Sequence, residues 1–109
     1  MMSHHYPSEQ ILKIIREFDI SKPIKELISL IEGEWEFADV GYFSLYKTKK
    51  KVYLQLHTAG WSGNEDLIGA FEKIKWIGIF WVKSTRGGHY WYEFSREVYE
   101  NGLRMGDKK

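Results

Sequence analysis

The chain has 109 residues, 16 basic and 15 acidic, a net charge of +1, so it fits one compact domain and lacks the basic excess of duplex-DNA proteins. The absence of cysteine removes disulfides, thiol nucleophiles, iron–sulfur clusters and Cys-based zinc sites together. The unusual feature is aromatic: 5 Trp, 7 Tyr and 6 Phe, all but Tyr6 and Phe18 lying between Trp35 and Tyr99.

The predicted organisation is a single domain over 1–109, with flexible tails at 1–6 and 102–109. No run approaches the ~20 apolar residues that span a bilayer, and the N-terminus lacks the apolar core of a secretion signal. The expectation is a cytoplasmic protein without a membrane partner.

Residues 8–18 place Ile11, Ile14, Ile15 and Phe18 at helical spacing, and residues 22–32 repeat it with Ile24, Leu27, Ile28 and Ile31. Two short amphipathic helices follow, with Pro7 in the first turn of one, and Asp19 and Ser21 placed to cap the other. Beyond Gly33 the texture turns to β: 41–46 and 52–57 are aromatic and branched runs around a lysine-rich tip, 47–51, which fits a hairpin. Ser62 and Glu65 then stand as a capping box before a helix over 65–74. Trp76 to Val82 and His89 to Phe94 read as two strands around the loop 84–88. Arg96 can open a further short strand before the frayed terminus.

The predicted fold class is α+β. Two N-terminal helices pack on a mainly antiparallel sheet of four to five strands, with one crossover helix between 51–58 and 76–83. As parallel neighbours these strands would point the same way, whereas an antiparallel pairing would separate the loops that follow them. On 89–95, Tyr90, Tyr92 and Phe94 share one face while His89, Trp91, Glu93 and Ser95 share the other. Both faces carry rings. The expected arrangement has helices covering both; the alternative leaves one face for a homodimer or another protein.

A crossover would bring the loop 58–64 and the hairpin 84–88 to one edge of the sheet, where open α/β sheets bind ligands. In that reading Ser62, Gly63 and Asn64 at a helix start cradle an anion, joined by Arg86 beside Gly87 and Gly88. Trp61 and Tyr90 stack on a base, and His57, His89 and Tyr92 shape the pocket. Structural readings stand beside these: Glu65 as a capping carboxylate, Arg86-Gly87-Gly88 as a plain turn, Trp61 as a lid over the core. Catalysis has a small inventory. His57, Glu65 and His89 could act as base, acid and orienting carboxylate, or as a two-His-one-carboxylate metal site. No HExxH, nucleophile elbow or phosphate-binding glycine loop is present. Binding therefore outranks catalysis, and no cofactor or resident metal is expected.

The stretch Leu54 to Asp66, reading LQLHTAGWSGNED, together with Arg86-Gly87-Gly88-His89-Tyr90, resembles a family of small uncharacterised proteins of tailed phages and prophages. The resemblance covers about half of the chain and leaves the two N-terminal helices outside it. It implies a phage context, hence the host cytoplasm, and says nothing about chemistry. In that context a cysteine-free domain with an anion-friendly, aromatic edge suits a counter-defence role, sequestering an immune signalling nucleotide. The alternatives to this small anionic ligand are a host protein bound through an aromatic sheet face, and a small hydrolase or metal enzyme. Duplex DNA is not an expected partner.

Overall fold

The computed structural model describes residues 6–35 and 42–103. The first helix, α1 (Glu9–Arg16), starts where the Ser8 hydroxyl accepts a hydrogen bond from the Ile11 N–H at 3.1 Å. Pro7 therefore precedes the cap and is not part of the first turn. Ile15 is fully buried, while Ile14, from the same predicted stripe, turns half out to solvent. The connection to α2 (Ile24–Glu34) is closed by Asp19, whose carboxylate accepts from both the N–H and the hydroxyl of Ser21. Asp19 thus caps the turn between the helices, and α2 begins after Pro23 with no side-chain cap.

The lysine-tipped hairpin forms as predicted, from β1 (Phe43–Lys47) and β2 (Lys51–His57). Thr48 holds its tip: its N–H donates to the Lys51 carbonyl, and its hydroxyl accepts from the Lys50 and Lys51 N–H groups. Helix α3 (Ser62–Glu72) follows β2 directly, then a single 3₁₀ turn (Ile77–Phe80), β3 (Trp81–Thr85), β4 (His89–Ser95) and α4 (Arg96–Asn101).

Two of the predicted strands require correction. Residues 76–80 are not β: Trp76 takes a left-handed conformation at φ 71°, and the following 3₁₀ turn drives Ile77 into the core and Phe80 against Phe94. Arg96 begins a helix, because Ser95 caps it by accepting the Val98 N–H. Gly102 ends that helix at φ 89°, lying so close to the α1–α2 connection that a Cβ would meet the Ser21 carbonyl oxygen at 2.1 Å. The Leu103 N–H then donates to the Ile20 carbonyl. The chain at 102–103 is therefore anchored, as is Tyr6, whose ring rests on Trp61. The rest of the expected tails, 1–5 and 104–109, lies outside the described residues.

The fold is α+β: among the described residues, four helices and one four-stranded, wholly antiparallel sheet in the order β1-β2-β4-β3. Strands 51–58 and 76–83 are thus not parallel neighbours; β4 lies between β2 and β3. Two successive antiparallel pairings nevertheless leave β2 and β3 running the same way. The loop after β2 and the hairpin after β3 still reach the same edge, by a split crossover.

Alternation along the strands separates two faces. Phe43, Val52, Leu54, Leu56, Tyr92 and Phe94 are buried and join Ile15, Ile24, Leu27, Ile28, Ile31, Leu67, Phe71 and Val98 from all four helices in one cluster. The opposite face, with Tyr46, Tyr53, Gln55, His57, His89, Trp91 and Glu93, is half-exposed or exposed. The expectation that helices cover both faces fails because every helix contributes its apolar side to the same core.

Among the described residues no helix is long and apolar enough to cross a membrane.

Candidate functional site

The two motifs singled out in the sequence meet at the shared edge. The Thr58 N–H donates to the Gly88 carbonyl at 2.9 Å. The approach is close enough that a Cβ on Gly88, which sits at φ 83°, would stand 2.0 Å from the Thr58 hydroxyl. Gly87, at φ 95°, supplies the other left-handed position of the hairpin turn. On the far side of the loop the Thr58 carbonyl accepts from the Trp61 N–H at 2.9 Å and from the Asn64 amide at 3.4 Å.

Most of the predicted anion cradle is thereby committed to the fold. Asn64 is fully buried beneath the loop. Gly63 seats the Trp61 indole, whose Nε1 lies 2.6 Å from where a Cβ would be. Ser62 shares a 3.2 Å hydrogen bond with the Tyr6 hydroxyl, and the Tyr6 ring covers Trp61 at 4.7 Å between centroids. The capping box also fails by register. The helix starts at Ser62 itself, with Trp61 in the cap position, and Glu65 accepts from the Thr58 hydroxyl at 3.5 Å. An anion arriving at this helix start would have to displace an indole.

The remaining predicted residues divide between the faces. Tyr92 is buried with its ring edge-on to Phe71 at 4.8 Å. Tyr90 points the same way and packs against the core. Burial raises the phenol pKa of both, with the nearby Glu72 carboxylate acting in the same direction. Neither can line a pocket with His57, which lies on the other face.

His57 and His89 do come together. They are cross-strand partners, and their Nδ1 atoms lie 2.7 Å apart. At that distance one ring donates Nδ1–H and the other accepts, so the two facing nitrogens share a single proton. Burial lowers the pKa of His57, and the charge of His89 lowers it further. Trp91 stands edge-on to His57 at 5.8 Å, and the Lys83 ammonium lies 4.6 Å from its ring centre. Arg86 is exposed at the tip of the same hairpin, and no carboxylate pairs with it among the described residues.

Sequence reasoning missed Trp91 and Lys83. The signal was present in the alternation of 89–95, which already placed His89 and Trp91 side by side on one face. A shallow concavity of about 370 Å³ runs over that face between Tyr46, Tyr53, Lys83 and Trp91. A larger hollow of about 600 Å³ lies elsewhere, between the α1–α2 turn and Trp76, lined by Glu17 and Asp19 together with Lys75.

Among the described residues no three His, Asp or Glu side chains are grouped as metal ligands. The two-His-one-carboxylate arrangement is not assembled, because Glu65 is tied to Thr58 on α3 while the two imidazoles lie on the outward sheet face. Comparison with protein-family models, curated proteins and solved structures gives no match.

Proposed function

We propose that the protein is a non-catalytic binding module for a small anionic, nucleotide-like ligand, held at the strand end by His57, His89, Trp91 and Arg86. The observation that carries this reading is the contact of two imidazoles beside a partly exposed indole, at the strand end whose hairpin tip carries the exposed Arg86. A base can rest on Trp91 once Lys83 moves aside, and the phosphate then faces groups that donate hydrogen bonds or carry positive charge. The loop 58–64 has a supporting role: Thr58 and Asn64 hold the hairpin that displays Arg86 and His89. In the phage context implied by the sequence resemblance, such a module would act as a sponge for a signalling nucleotide in the host cytoplasm.

The test is a thermal-shift panel of mononucleotides and cyclic dinucleotides. At a hundredfold excess over Kd a ligand stabilises the native state by about 2.7 kcal/mol. That shift is expected to vanish in Arg86→Ala and His89→Ala. No shift with any nucleotide in wild-type protein overturns the reading.

A second reading has its own observation. Ile79, Trp81 and Val82 are 60%, 51% and 50% exposed along the 3₁₀ turn and the edge strand β3. An apolar edge strand suits pairing with a host protein or with a second copy. A stoichiometric complex broken by Trp81→Ala and indifferent to Arg86→Ala favours this reading over the nucleotide site.

A further inference from the structure

We infer that the strand-end site is one end of a track, and that the open sheet face binds single-stranded nucleic acid across β4, β2 and β1. This rests on the nucleotide reading above and extends it from one nucleotide to several.

The first support is the arrangement of rings. Tyr46 and Tyr53 are cross-strand partners on the outward face, with ring centres 6.1 Å apart and planes 28° from parallel. Tyr46 is 63% exposed, so its ring is open to a stacking partner. Trp91 and the two histidines lie at the other end of the same face. Gln55, the partner of Trp91 in the ladder, forms the floor between the two groups, where its amide can donate to or accept from a base edge. Strands lie about 4.8 Å apart, so the distance from β1 to β4 is about 10 Å, the rise of about three stacked nucleotides.

Charge provides the second support and selects the occupant. The whole chain is nearly neutral, but Glu93 is the only carboxylate in the four strands, and it is paired with Lys51. The other described carboxylates lie on the helices and the loops between them. The sheet is flanked instead by Lys49 and Lys50 at one hairpin tip and by Arg86 at the other, with Lys83 on the edge strand over Trp91. Aromatic platforms between basic margins are how proteins hold single strands, because every base has a face to stack and every linkage a phosphate. The near-neutral chain offers no broad basic surface for a duplex, whereas exposed rings suit unstacked bases, so the track is assigned to single strands.

The experiment measures fluorescence anisotropy of end-labelled oligothymidylate and oligouridylate, with a labelled duplex and a mononucleotide thermal shift in parallel. The two oligomers distinguish a DNA strand from an RNA strand. Single strands of at least one kind are expected to bind at least tenfold tighter than the duplex, with affinity falling as salt rises. Tyr53→Ala and Trp91→Ala should each weaken oligomer binding about tenfold, the worth of one stacked base. Lys49→Glu combined with Lys50→Glu should weaken the oligomer and leave the mononucleotide unchanged. Exposed Tyr46→Ala, with an unchanged unfolding midpoint, guards against mistaking misfolding for lost contact.

If mononucleotide and oligomer bind equally, and Tyr46, Tyr53 and the tip lysines are silent, the track is overturned while the nucleotide site stands. Oligomer binding without any mononucleotide shift supports the track and removes the small-ligand reading. Binding of neither overturns both, and equal binding of the duplex overturns the track.

Discussion

Along β4, Tyr92 and Phe94 are 3% and 1% exposed, whereas Trp91 and Glu93 stay half-exposed beside them. Strand β2 repeats the division, with Val52, Leu54 and Leu56 buried against Tyr53, Gln55 and His57 outward. Residue class does not separate the two faces, since large rings occur on both. What separates them is whether a neighbour completes the environment. On the core side Phe71 and Phe80 meet Tyr92 and Phe94, and the phenol of Tyr92 is held protonated by burial. On the outward side the rings meet each other, an ammonium, two imidazoles and the polar Gln55 and Glu93, with no helix over them among the described residues. The rings of the sheet therefore divide into a core set and an outward set, and Trp76 and Trp81 add exposed rings on the 3₁₀ turn and the edge strand.

The sharpest way to break that comparison is to truncate one ring on each side of a single strand. Phe94→Ala opens a cavity in the fully buried cluster and is expected to cost about 3–5 kcal/mol. Trp91→Ala removes a larger side chain, yet it should cost less than about 1.5 kcal/mol, because the outward face has no packed layer to collapse. Urea unfolding of both variants checks the pair. Equal losses would mean that the outward face is covered in solution, which would favour a self-associated state over a free platform.

A smaller effect tests whether the joined motifs are scaffold or site. Gly88→Ala places a Cβ against the Thr58 hydroxyl in a left-handed conformation and is expected to cost about 2–3 kcal/mol. Arg86→Ala, two residues away and exposed, should be nearly neutral for stability and remove ligand binding. The reverse pattern, a tolerant Gly88 and a destabilising Arg86→Ala, would move the hairpin turn from scaffold to core.

The legibility of the fold follows from how local each signal is. The spacing in 8–18 and 22–32 and the runs on either side of the lysine tip depend on near neighbours, and they read correctly. Residues 76–80 are as apolar as a strand, but burial of Ile77 and the left-handed Trp76 tie them to the end of α3, a tertiary constraint that no alternation expresses. Ser62 and Glu65 have capping-box spacing, yet the helix begins one position earlier because Trp61 folds over Gly63. A crossover between neighbouring strands predicts the convergence of the two loops; the structure achieves it with β4 inserted, since two reversals restore direction. Tyr90 and Tyr92 face the core, which the sequence did not reveal because strand parity shows which residues share a face and not which face the helices choose.

The smallest expected effect concerns protons, and it separates the fold from the site by sign. His57 is held below its ordinary pKa of 6.5 by burial and by the charge of His89. The unfolded chain therefore binds the proton more readily than the folded one in the range just below that value. The stabilisation from neutral His57 is complete above pH 6.5 and is lost as pH falls through the lower folded value. Thermal midpoints should decline on acidification, and His57→Gln should flatten the decline. A phosphate at the pair reverses the preference, because it favours the added proton that the empty site resists. Nucleotide affinity is thus expected to rise over the same interval in which stability falls. Parallel titrations of midpoint and affinity check the opposition, and affinity that falls together with stability would place the phosphate away from the imidazoles.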